Sequence, residues 1–473
     1  MAALTTLLQS KKQLTLSQQL SFVWKLSIPA ILAQLSSIIM QYIDAAMVGN
    51  LGAEASASIG IVSTSMWLIY GIGYSVGTGF SVQIAQAVGA GDSVRTKQTV
   101  REALIFMLIF SAATGTIALV ISPWLPKWLG ASKAIQQDAC DYFRIFALSQ
   151  PMVMLCSVTG AMLECSGNMK VPSILNASMC VMDVLFNAVF IFPARQVTAG
   201  SVNIFIPGFG LAVKGAALGT AAAQTVTCTC MMIAALHYSP YLKLSKGGSW
   251  QLTKKCMNTV RKISLPMTFE QIALCGAQIA MTGIVAPLGT IPLAADTFGV
   301  TAESLCYMPG YGIQSAATTL VGQSIGAGKT RIAKRFAWLT VACGMTVMAA
   351  TAIIMYAACP AVFQFLTPDK GVQELGIKVL RIELFAEPLF AASIVASGAL
   401  RGAGDTLVPG IMTLVSIWGV RLTLGKMLSV RYGLTGVWIA MCTELCFRGI
   451  LILIRLGTTT HLKMQKTDSN ASA

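Results

Sequence analysis

Long apolar runs recur along this chain, and few polar positions interrupt them. A helix needs about 20 apolar residues to cross the hydrocarbon core of a bilayer, and each run reaches about that length. The pattern predicts twelve transmembrane helices, near residues 25–47, 57–82, 103–122, 140–163, 171–193, 211–236, 262–286, 291–321, 337–358, 379–400, 407–428 and 434–454. We therefore predict an all-α polytopic membrane protein.

The composition agrees with that prediction. Of the 473 residues, 55% are hydrophobic and only 11% are charged, and the mean hydropathy is +0.70. This leaves too few charges to coat a soluble protein of the same size. The 13 cysteines lie mostly inside apolar runs and form no Cys-x-x-Cys pair, and there are only two histidines. A disulfide framework, a zinc site and histidine-based catalysis are therefore not expected, and neither is a cofactor.

The basic residues are distributed unevenly between the loops, and the net charge is +15. They concentrate in alternate loops, whereas the loops of the opposite side hold only Lys127, Lys133, Arg195, Lys370, Lys426 and Arg431. Because basic loops stay in the cytoplasm, both termini are predicted to face the cytoplasm, with the protein in the plasma (inner) membrane. The expected partner of these charges is the lipid bilayer with its anionic lipids, and not nucleic acid.

The two halves of the chain share one sequence pattern. The stretch GYSVGTGFSVQIAQAVGAGD, from Gly73, recurs as GYGIQSAATTLVGQSIGAGK, from Gly310. We call the separation between Gly73 and Gly310 the repeat offset, and the same offset carries Pro172 onto Pro409. Beyond that point the offset shortens, so that Gly215 matches Gly436, because the first half has extra residues around ARQVTAGSVNIFIPGFG. The two halves align without a gap as far as Pro172 and Pro409, which indicates an internal duplication.

The duplication predicts two six-helix lobes. An even number of spans per lobe makes the lobes parallel repeats, related by an axis along the membrane normal. The predicted division is a cytoplasmic N-terminal segment 1–24, a first lobe 25–237, a cytoplasmic linker 238–261, a second lobe 262–456 and a cytoplasmic tail 457–473. Pro151 and Pro388 fall inside spans 4 and 10 and predict kinks there. No segment is left for a soluble catalytic head, so no enzymatic activity is expected.

One stretch, GQSIGAGKT from Gly322, has the look of a phosphate-binding loop. Such a loop needs a glycine, four residues and then Gly-Lys-Ser/Thr, and it follows a buried strand. In this chain Gln323 stands where the first glycine belongs, and a long apolar run precedes the segment. We expect no nucleotide to bind there, and the glycines instead predict a turn between two spans.

Acidic side chains occur inside several predicted spans, where each one costs about 2.5–3.5 kcal/mol to insert. Asp44 interrupts the first span, and its repeat mate is Met281, so the duplicated scaffold does not require an acid there. Asp183 and Asn187 are four residues apart on one face of the fifth span, and Thr220 lies in the sixth. An acid in such a position marks a functional site unless it merely bonds a neighbouring helix.

The second half has its own acids within predicted spans: Glu270, Asp296, Glu303, Glu383, Glu387 and Glu444. Glu383 is expected near a membrane interface, paired with Arg381 or Lys378. Bases at membrane depth are few, mainly Arg421 and Arg448. A cavity between the helices is therefore predicted to be acidic and to favour cations.

Five motifs make the chain resemble the multidrug and toxic compound extrusion (MATE) family. They are IDAAMVGNLG in the first span, AQAVGAGD and VGQSIGAGK after spans 2 and 8, GALRGAGDTLVP after span 10, and VKGAALGTAAAQ in span 6. The resemblance extends from about Lys25 to Leu456. It implies a secondary antiporter of two six-helix bundles that exports amphipathic, often cationic, drugs or toxic metabolites in exchange for H+ or Na+. A monomer is expected.

The resemblance also implies roles for residues of the first lobe. Asp44 matches the aspartate of the family's first-lobe cation site, and Thr220 matches the member of that site on span 6. Many members carry Asn-x-x-x-Asp on span 5, whereas this chain has Asp183-x-x-x-Asn187, with the two groups in swapped order. Asp44, Asp183 and Asn187 are thus predicted to take up a proton or to hold Na+.

The second-lobe acids are weaker candidates. Glu270 matches a glutamate on span 7 that some branches of the family use. The helix-10 aspartate of those branches has no counterpart in register, and Glu387 lies about one turn away. Asp296, Glu303 and Glu387 are therefore further candidates for coupling or for substrate binding.

Two other functions are compatible with a duplicated membrane protein. A flippase for lipid-linked oligosaccharides would have a similar fold, but it would line its cavity with arginine and lysine to hold a pyrophosphate. A membrane receptor or scaffold that transports nothing would tolerate the loss of every acid in the spans, and it gives no reason for Asp44.

Overall fold

The computed structural model describes residues 15–199, 202–244 and 248–458, and these ranges are mostly helical. The long helices are α1 Leu16–Gly49, α2 Ala53–Ala90, α3 Ser93–Ile121, α4 Lys133–Cys165, α5 Lys170–Phe190, α6 Ala212–Ile233, α7 Lys254–Val285, α8 Thr290–Gly326, α9 Thr330–Leu366, α10a Lys370–Glu383, α10b Glu387–Gly402, α11a Leu407–Val415, α11b Leu422–Tyr432 and α12 Leu434–Thr458. A π-helical segment, Ser416–Arg421, joins α11a to α11b, and another, Ala234–Tyr238, extends α6. A short helix, Leu125–Trp128, precedes α4.

The predicted all-α polytopic fold is confirmed. Within the described residues, ten helices are long and apolar enough to cross a membrane. The two remaining predicted spans correspond to α8, whose many glycine, serine and threonine residues lower its hydropathy, and to α10, which is broken into pieces of 14 and 16 residues. Large apolar side chains such as Ile109, Ile353 and Phe385 are exposed on the outer surface, as expected for helices that face lipid.

The backbone repeats the duplication seen in the sequence. Gly91, between α2 and α3, and its repeat mate Gly328, between α8 and α9, have φ angles of 74° and 73°, a left-handed conformation that favours glycine. We call this end of the molecule the GAG end, after the GAGD and GAGK turns. The GAGKT segment follows a helix and not a strand, so it lacks the context of a phosphate-binding loop.

Each lobe packs against the first turns of a helix from the other lobe. Val23 and Leu26 of α1 belong to the same buried cluster as Leu320 and Phe336 of the second lobe. In the symmetric arrangement, Val260 of α7 packs in the cluster that forms the core of the first lobe. The lobes are therefore interlocked at the GAG end.

The extra residues of the first lobe, which lie outside every predicted span, form a β-hairpin. Strand β1, Pro193–Ala199, pairs antiparallel with β2, Val202–Phe209, and Thr198 lies opposite Asn203. The segment VTAGSVNIFI explains the hairpin, because β-branched residues flank a Gly-Ser pair. The fold is otherwise helical within the described residues.

The two predicted proline kinks have different outcomes. Helix α4 continues through Pro151 as one helix from Lys133 to Cys165. Span 10 instead ends at Glu383 and restarts at Glu387, with Pro388 in the first turn of α10b, where a missing N–H costs no hydrogen bond. The repeat is therefore not symmetric at this point, and the break lies between two acidic residues.

Candidate functional site

One amide group joins the two first-lobe acids. Nδ2 of Asn187 donates to Oδ1 of Asp44 and to Oδ2 of Asp183, both at 3.0 Å. Asp44 and Asp183 also lie within hydrogen-bonding reach of each other. The structure thus brings together three of the four residues that the sequence singled out in this lobe. The hydrogen bond from Asn187 to Asp44 joins α5 to α1.

Helical periodicity and a close helix contact position this group. Asp183 and Asn187 occupy one face of α5 and are 0% and 1% exposed, whereas Asp44 is half-buried. A β-carbon on Gly219 of α6 would collide with Oδ1 of Asn187, so glycine there lets α6 approach α5. Oδ1 of Asp183 and Oδ1 of Asn187 are buried and accept no hydrogen bond from the described residues. Two buried acceptor oxygens, one of them from a carboxylate, therefore remain without a donor from those residues in the group that contains Asp44.

Thr220 follows Gly219 on α6 and is half-buried, but no hydrogen bond from its side chain to the two aspartates or to Asn187 is present among the described residues. Tyr142 of α4 is a neighbour that the sequence analysis missed, because it lies close to both Asp44 and Asp183. A single tyrosine near a helix end gives no pattern that would have identified it.

The second lobe holds three carboxylates at close quarters. Oxygens of Glu303, Glu383 and Glu387 all lie within 4.8 Å of one another, and the three residues are between 0% and 5% exposed. Both oxygens of Glu383 and both of Glu387 lack a hydrogen-bond partner among the described residues. Like charges at this separation repel one another strongly in a buried site, so the arrangement favours uptake of a proton or a cation.

The predicted ion pair of Glu383 with Arg381 or Lys378 is wrong. Its side chain is fully buried in this cluster, and it forms no ion pair with Arg381 or Lys378 within the described residues. The Arg381 guanidinium instead lies 4.7 Å from the centre of the Tyr356 ring. The helix is interrupted between Glu383 and Glu387, and hydropathy alone does not reveal which neighbouring helix each side chain contacts.

The two deep arginines are paired. Glu444 of α12 is 0% exposed, and its carboxylate lies 3.2 Å from Nε of Arg448 and 3.6 Å from Nε of Arg421. The hydroxyl of Ser416 donates to Oε1 of Glu444 at 2.7 Å. The two bases thus share one acid, so they compensate only part of the negative charge of the neighbouring cluster.

The other two second-lobe candidates lie outside the glutamate cluster. Asp296 accepts a hydrogen bond of 2.8 Å from the indole N–H of Trp438, which is 1% exposed. Glu270 lies 3.8 Å from the guanidinium of Arg401. Of the four predicted residues of this lobe, the structure brings together only Glu303 and Glu387.

A small cavity lies between the lobes, in their GAG-end half. It has a volume of about 40 Å³ and is lined by repeat mates from α2 and α8, together with Glu164 of α4 and Arg401 of α10b. Glu164 and Arg401 are themselves related by the repeat offset, so the duplication presents an acid on one side and a base on the other. Tyr74 lies close to both charges.

Comparison with known proteins gives matches over nearly the whole chain. The MatE family model matches residues 29–189 and 266–427, one segment in each lobe. A probable multidrug resistance protein NorM of Thermotoga maritima is 24% identical over 443 residues, which cover 91% of this chain and 90% of that protein. Another from Mesorhizobium japonicum is 26% identical over 466 residues, which cover 93% of each chain.

Solved structures match the fold equally well. An outward-facing multidrug resistance MATE family transporter of the MOP superfamily has a TM-score of 0.86 at 18% identity, covering 97% of this chain and 98% of that chain. A mutant of the Vibrio cholerae MATE transporter VcmN has a TM-score of 0.86 at 17% identity, covering 94% of this chain and 98% of that chain.

Proposed function

Because this chain belongs to the MatE family of multidrug efflux transporters, we propose that it is a secondary active antiporter that exports amphipathic, cationic compounds in exchange for H+ or Na+. Members of this family are transporters and not enzymes, which also weighs against a receptor or scaffold without transport. The coupling ion and the cargo are the parts of the proposal that need support from the sites.

The group of Asp44, Asn187 and Asp183 carries the proposal. Two carboxylates accept from one amide at 3.0 Å, so one bound proton or Na+ would relieve their mutual repulsion. Asp44 is half-buried and Asp183 is fully buried, which makes Asp44 the point of entry. The unpartnered oxygens of Asp183 and Asn187 are hard oxygen donors of the kind that suits a hard cation.

The cluster of Glu303, Glu383 and Glu387 is a second site for a coupling ion or for a cationic group of the cargo. It lies in the other lobe, so an ion held there would act on a different part of the protein from one held at Asp44. Tyr307 lies near the cluster and meets Phe390 edge to face, with ring centres 5.6 Å apart. Arg448 already lies 5.4 Å from the centre of the Phe390 ring, so Tyr307 is the aromatic side chain available to attract an organic cation.

The cavity between the lobes is the proposed entry point for cargo. Its volume of about 40 Å³ suffices for a few water molecules, whereas a drug-sized ligand needs about 300–1,000 Å³. Cargo binding therefore requires the lobes to separate around Glu164, Arg401 and Tyr74. This requirement agrees with alternating access by two lobes that move against each other.

The charge balance limits how the ions can drive export. One proton exchanged for one monovalent cation moves no net charge, so only the concentration gradient contributes, at about 1.4 kcal/mol per tenfold difference. Two ions per cargo would carry one net charge inward, which gains about 2.3 kcal/mol per 100 mV, or about fortyfold further accumulation of cargo outside.

Transport by the purified protein in liposomes tests the proposal. A fluorescent organic cation should move against its gradient when a pH or Na+ gradient is imposed, and it should stop moving when an ionophore collapses that gradient. Adding a valinomycin-clamped potential distinguishes one ion per cargo from two. Absence of transport under every gradient, in vesicles that retain folded protein, would overturn the antiport proposal.

The oligosaccharide flippase is less well supported by the same sites. A flippase would need free bases around its cavity, but Arg421 and Arg448 are paired with Glu444. Arg401 lies beside Glu270 and lines the same cavity as Glu164. A pyrophosphate would meet these acids.

We further propose that the GAG end lies on the cytoplasmic side of the inner membrane, because the basic loops gather there.

A further inference from the structure

A groove of about 730 Å³ lies at the GAG end, between the first turns of α1 and those of α9. This basic groove is lined by Leu16, Gln19, Arg331, Lys334, Arg335, Trp338 and Leu339. Arg331, Lys334 and Arg335 are exposed, and none of them forms an ion pair with a described residue. Three positive charges thus share one groove without a counter-charge from the part of the chain that the structure describes.

The equivalent position of the first lobe, between α3 and the start of α7, is covered by the linker, and we call it the first-lobe groove. The guanidinium of Arg101 lies 5.9 Å from the ring centre of Trp250, and Gln98 donates to the carbonyl of Gln251 at 3.3 Å. Glu102 is 1% exposed and accepts from the hydroxyl of Thr253 at 3.0 Å. The first-lobe groove therefore contains both a cover and an internal negative charge.

The second lobe lacks that negative charge. At the repeat offset, Glu102 corresponds to Leu339, Gln98 to Arg335 and Arg101 to Trp338. An acid is thus replaced by an apolar side chain and an amide by a cation, and Trp338 is 40% exposed. The result is a positively charged groove with an apolar base, which is a chemistry that suits a ligand with an anionic head and an apolar tail.

The position of the groove indicates which ligand of this kind is at hand. Helix α9 begins at Thr330, so its first turns lie where the helix enters the membrane, the depth at which tryptophan, lysine and arginine gather. The preceding segment 1–14 is a competing occupant, but it carries Lys11 and Lys12 and no acid. Its charge has the same sign as that of the groove, so a lipid phosphate is the complementary ligand.

We propose that the basic groove binds an anionic phospholipid of the leaflet at the GAG end. The phosphate lies against Arg331, Lys334 and Arg335, and the first part of an acyl chain lies against Trp338 and Leu339. The groove contacts α1 of one lobe and α9 of the other, so a bound lipid bridges the lobes. From the proposed function this inference takes only the orientation in which the GAG end faces the cytoplasm.

Quenching of Trp338 by brominated lipid tests the site. The full-length protein in detergent is titrated with brominated-acyl phosphatidylglycerol, and the contribution of Trp338 is obtained as the difference from Trp338→Phe. We expect saturable quenching by phosphatidylglycerol and none by brominated phosphatidylcholine at the same concentration. The triple variant Arg331→Gln, Lys334→Gln, Arg335→Gln should lose about a hundredfold in affinity, which corresponds to about 1 kcal/mol for each cation.

A matched variant separates a site from general surface charge. Lys254→Gln, Lys255→Gln, Arg261→Gln removes three exposed charges at the start of α7 and should leave the affinity within about twofold, because these residues lie outside the groove. Equal losses in both triple variants would overturn the proposal, as would equal quenching by the two lipids.

Two further outcomes identify other ligands. Competition by inorganic phosphate as strong as that by unlabelled phosphatidylglycerol would show a free-phosphate site. Quenching that appears only after deletion of residues 2–14 would show that the N-terminal segment occupies the groove. Both results contradict the lipid proposal. Binding is measured without an ion gradient, so its failure leaves the antiport proposal standing, and the reverse also holds.

Discussion

Gly326 of α8 lies directly against the backbone carbonyl of Gln86 of α2, so that a β-carbon on Gly326 would collide with it. The duplication repeats the contact, since Gly89 of α2 lies against the carbonyl of Gln323 of α8. The Gln86 amide donates to the carbonyl of Gly402 at 3.2 Å, and Gln323 donates to that of Cys165 at 2.8 Å. These contacts hold the two lobes together at the GAG end, beneath the cavity between them.

Gly326→Ala should therefore weaken the closed arrangement of the lobes. The methyl group would force α2 and α8 apart, a type of overpacking that costs about 1–3 kcal/mol. We expect transport in proteoliposomes to fall severalfold. A cysteine introduced into the cavity lining by Thr78→Cys should react faster with a thiol reagent that enters from the GAG end. Gly60→Ala, in α2 where a β-carbon meets open space, is the control and should transport normally. Unchanged transport in Gly326→Ala would show that transport does not require this close contact between α2 and α8.

Asp44→Asn should abolish gradient-driven export while the protein remains folded. The variant keeps the hydrogen-bonding shape but cannot carry a proton or attract Na+, and removal of a partly buried charge relieves part of a desolvation cost. Efflux in proteoliposomes and the Tm measure the two effects. Asp92→Asn is the matched control, because Asp92 caps α3 in a turn and asparagine caps equally well. Near-normal export against a gradient by Asp44→Asn would move the coupling site to the second lobe.

Gly219→Ala tests the position of Asn187 without altering a charge. The added methyl group would displace Oδ1 of Asn187 and thereby the amide that bridges Asp44 and Asp183. We expect transport to fall severalfold and stability to decrease by about 1–3 kcal/mol. Thr225→Ala, at an exposed position of the same helix, should change neither. The proposal that the bridge matters fails if Gly219→Ala lowers stability but leaves the dependence of transport on the ion gradient intact.

Glu383→Gln should stabilise the protein and impair transport at the same time. One neutral amide among Glu303, Glu383 and Glu387 removes a like-charge contact, and a gain of about 1 kcal/mol would raise the Tm by about 2 °C in a chain this long. Glu374→Gln, exposed on the same helix segment, provides the control for the loss of one negative charge. If Glu383→Gln raises the Tm and transports like the wild type, the cluster is structural and takes no part in coupling.

The proposed orientation predicts the accessibility of the linker. An impermeant maleimide added to intact cells should label Lys133→Cys, at the start of α4, and should not label Ser249→Cys in the linker, beyond the background of the 13 native cysteines. Permeabilised cells should show labelling of both, since both positions are exposed. The reverse pattern in intact cells would invert the topology.

The sequence by itself determined the twelve helical segments, the duplication and the residue types of the first-lobe site. Hydropathy and the repeat offset are local or repetitive properties, so they can be read without knowledge of which helices touch. The pairing of Asp183 with Asn187 also followed from helical periodicity alone. Their roles in coupling, like that of Asp44, remain predictions.

Only the tertiary structure decided which helices meet across the lobes and in the second-lobe cluster. The burial of Glu383 beside Glu303 depends on the approach of α8 to α10a, and the pairing of Arg421 with Glu444 depends on the approach of the π-helical segment to α12. The difference between Glu102 and its repeat mate Leu339 is visible in the sequence. Its consequence depends on the linker, which covers the first-lobe groove and bonds Glu102, whereas the basic groove lies open. Lateral contacts between helices that are far apart in the sequence depend on packing and crossing geometry, and the hydropathy of a single span carries no information about either.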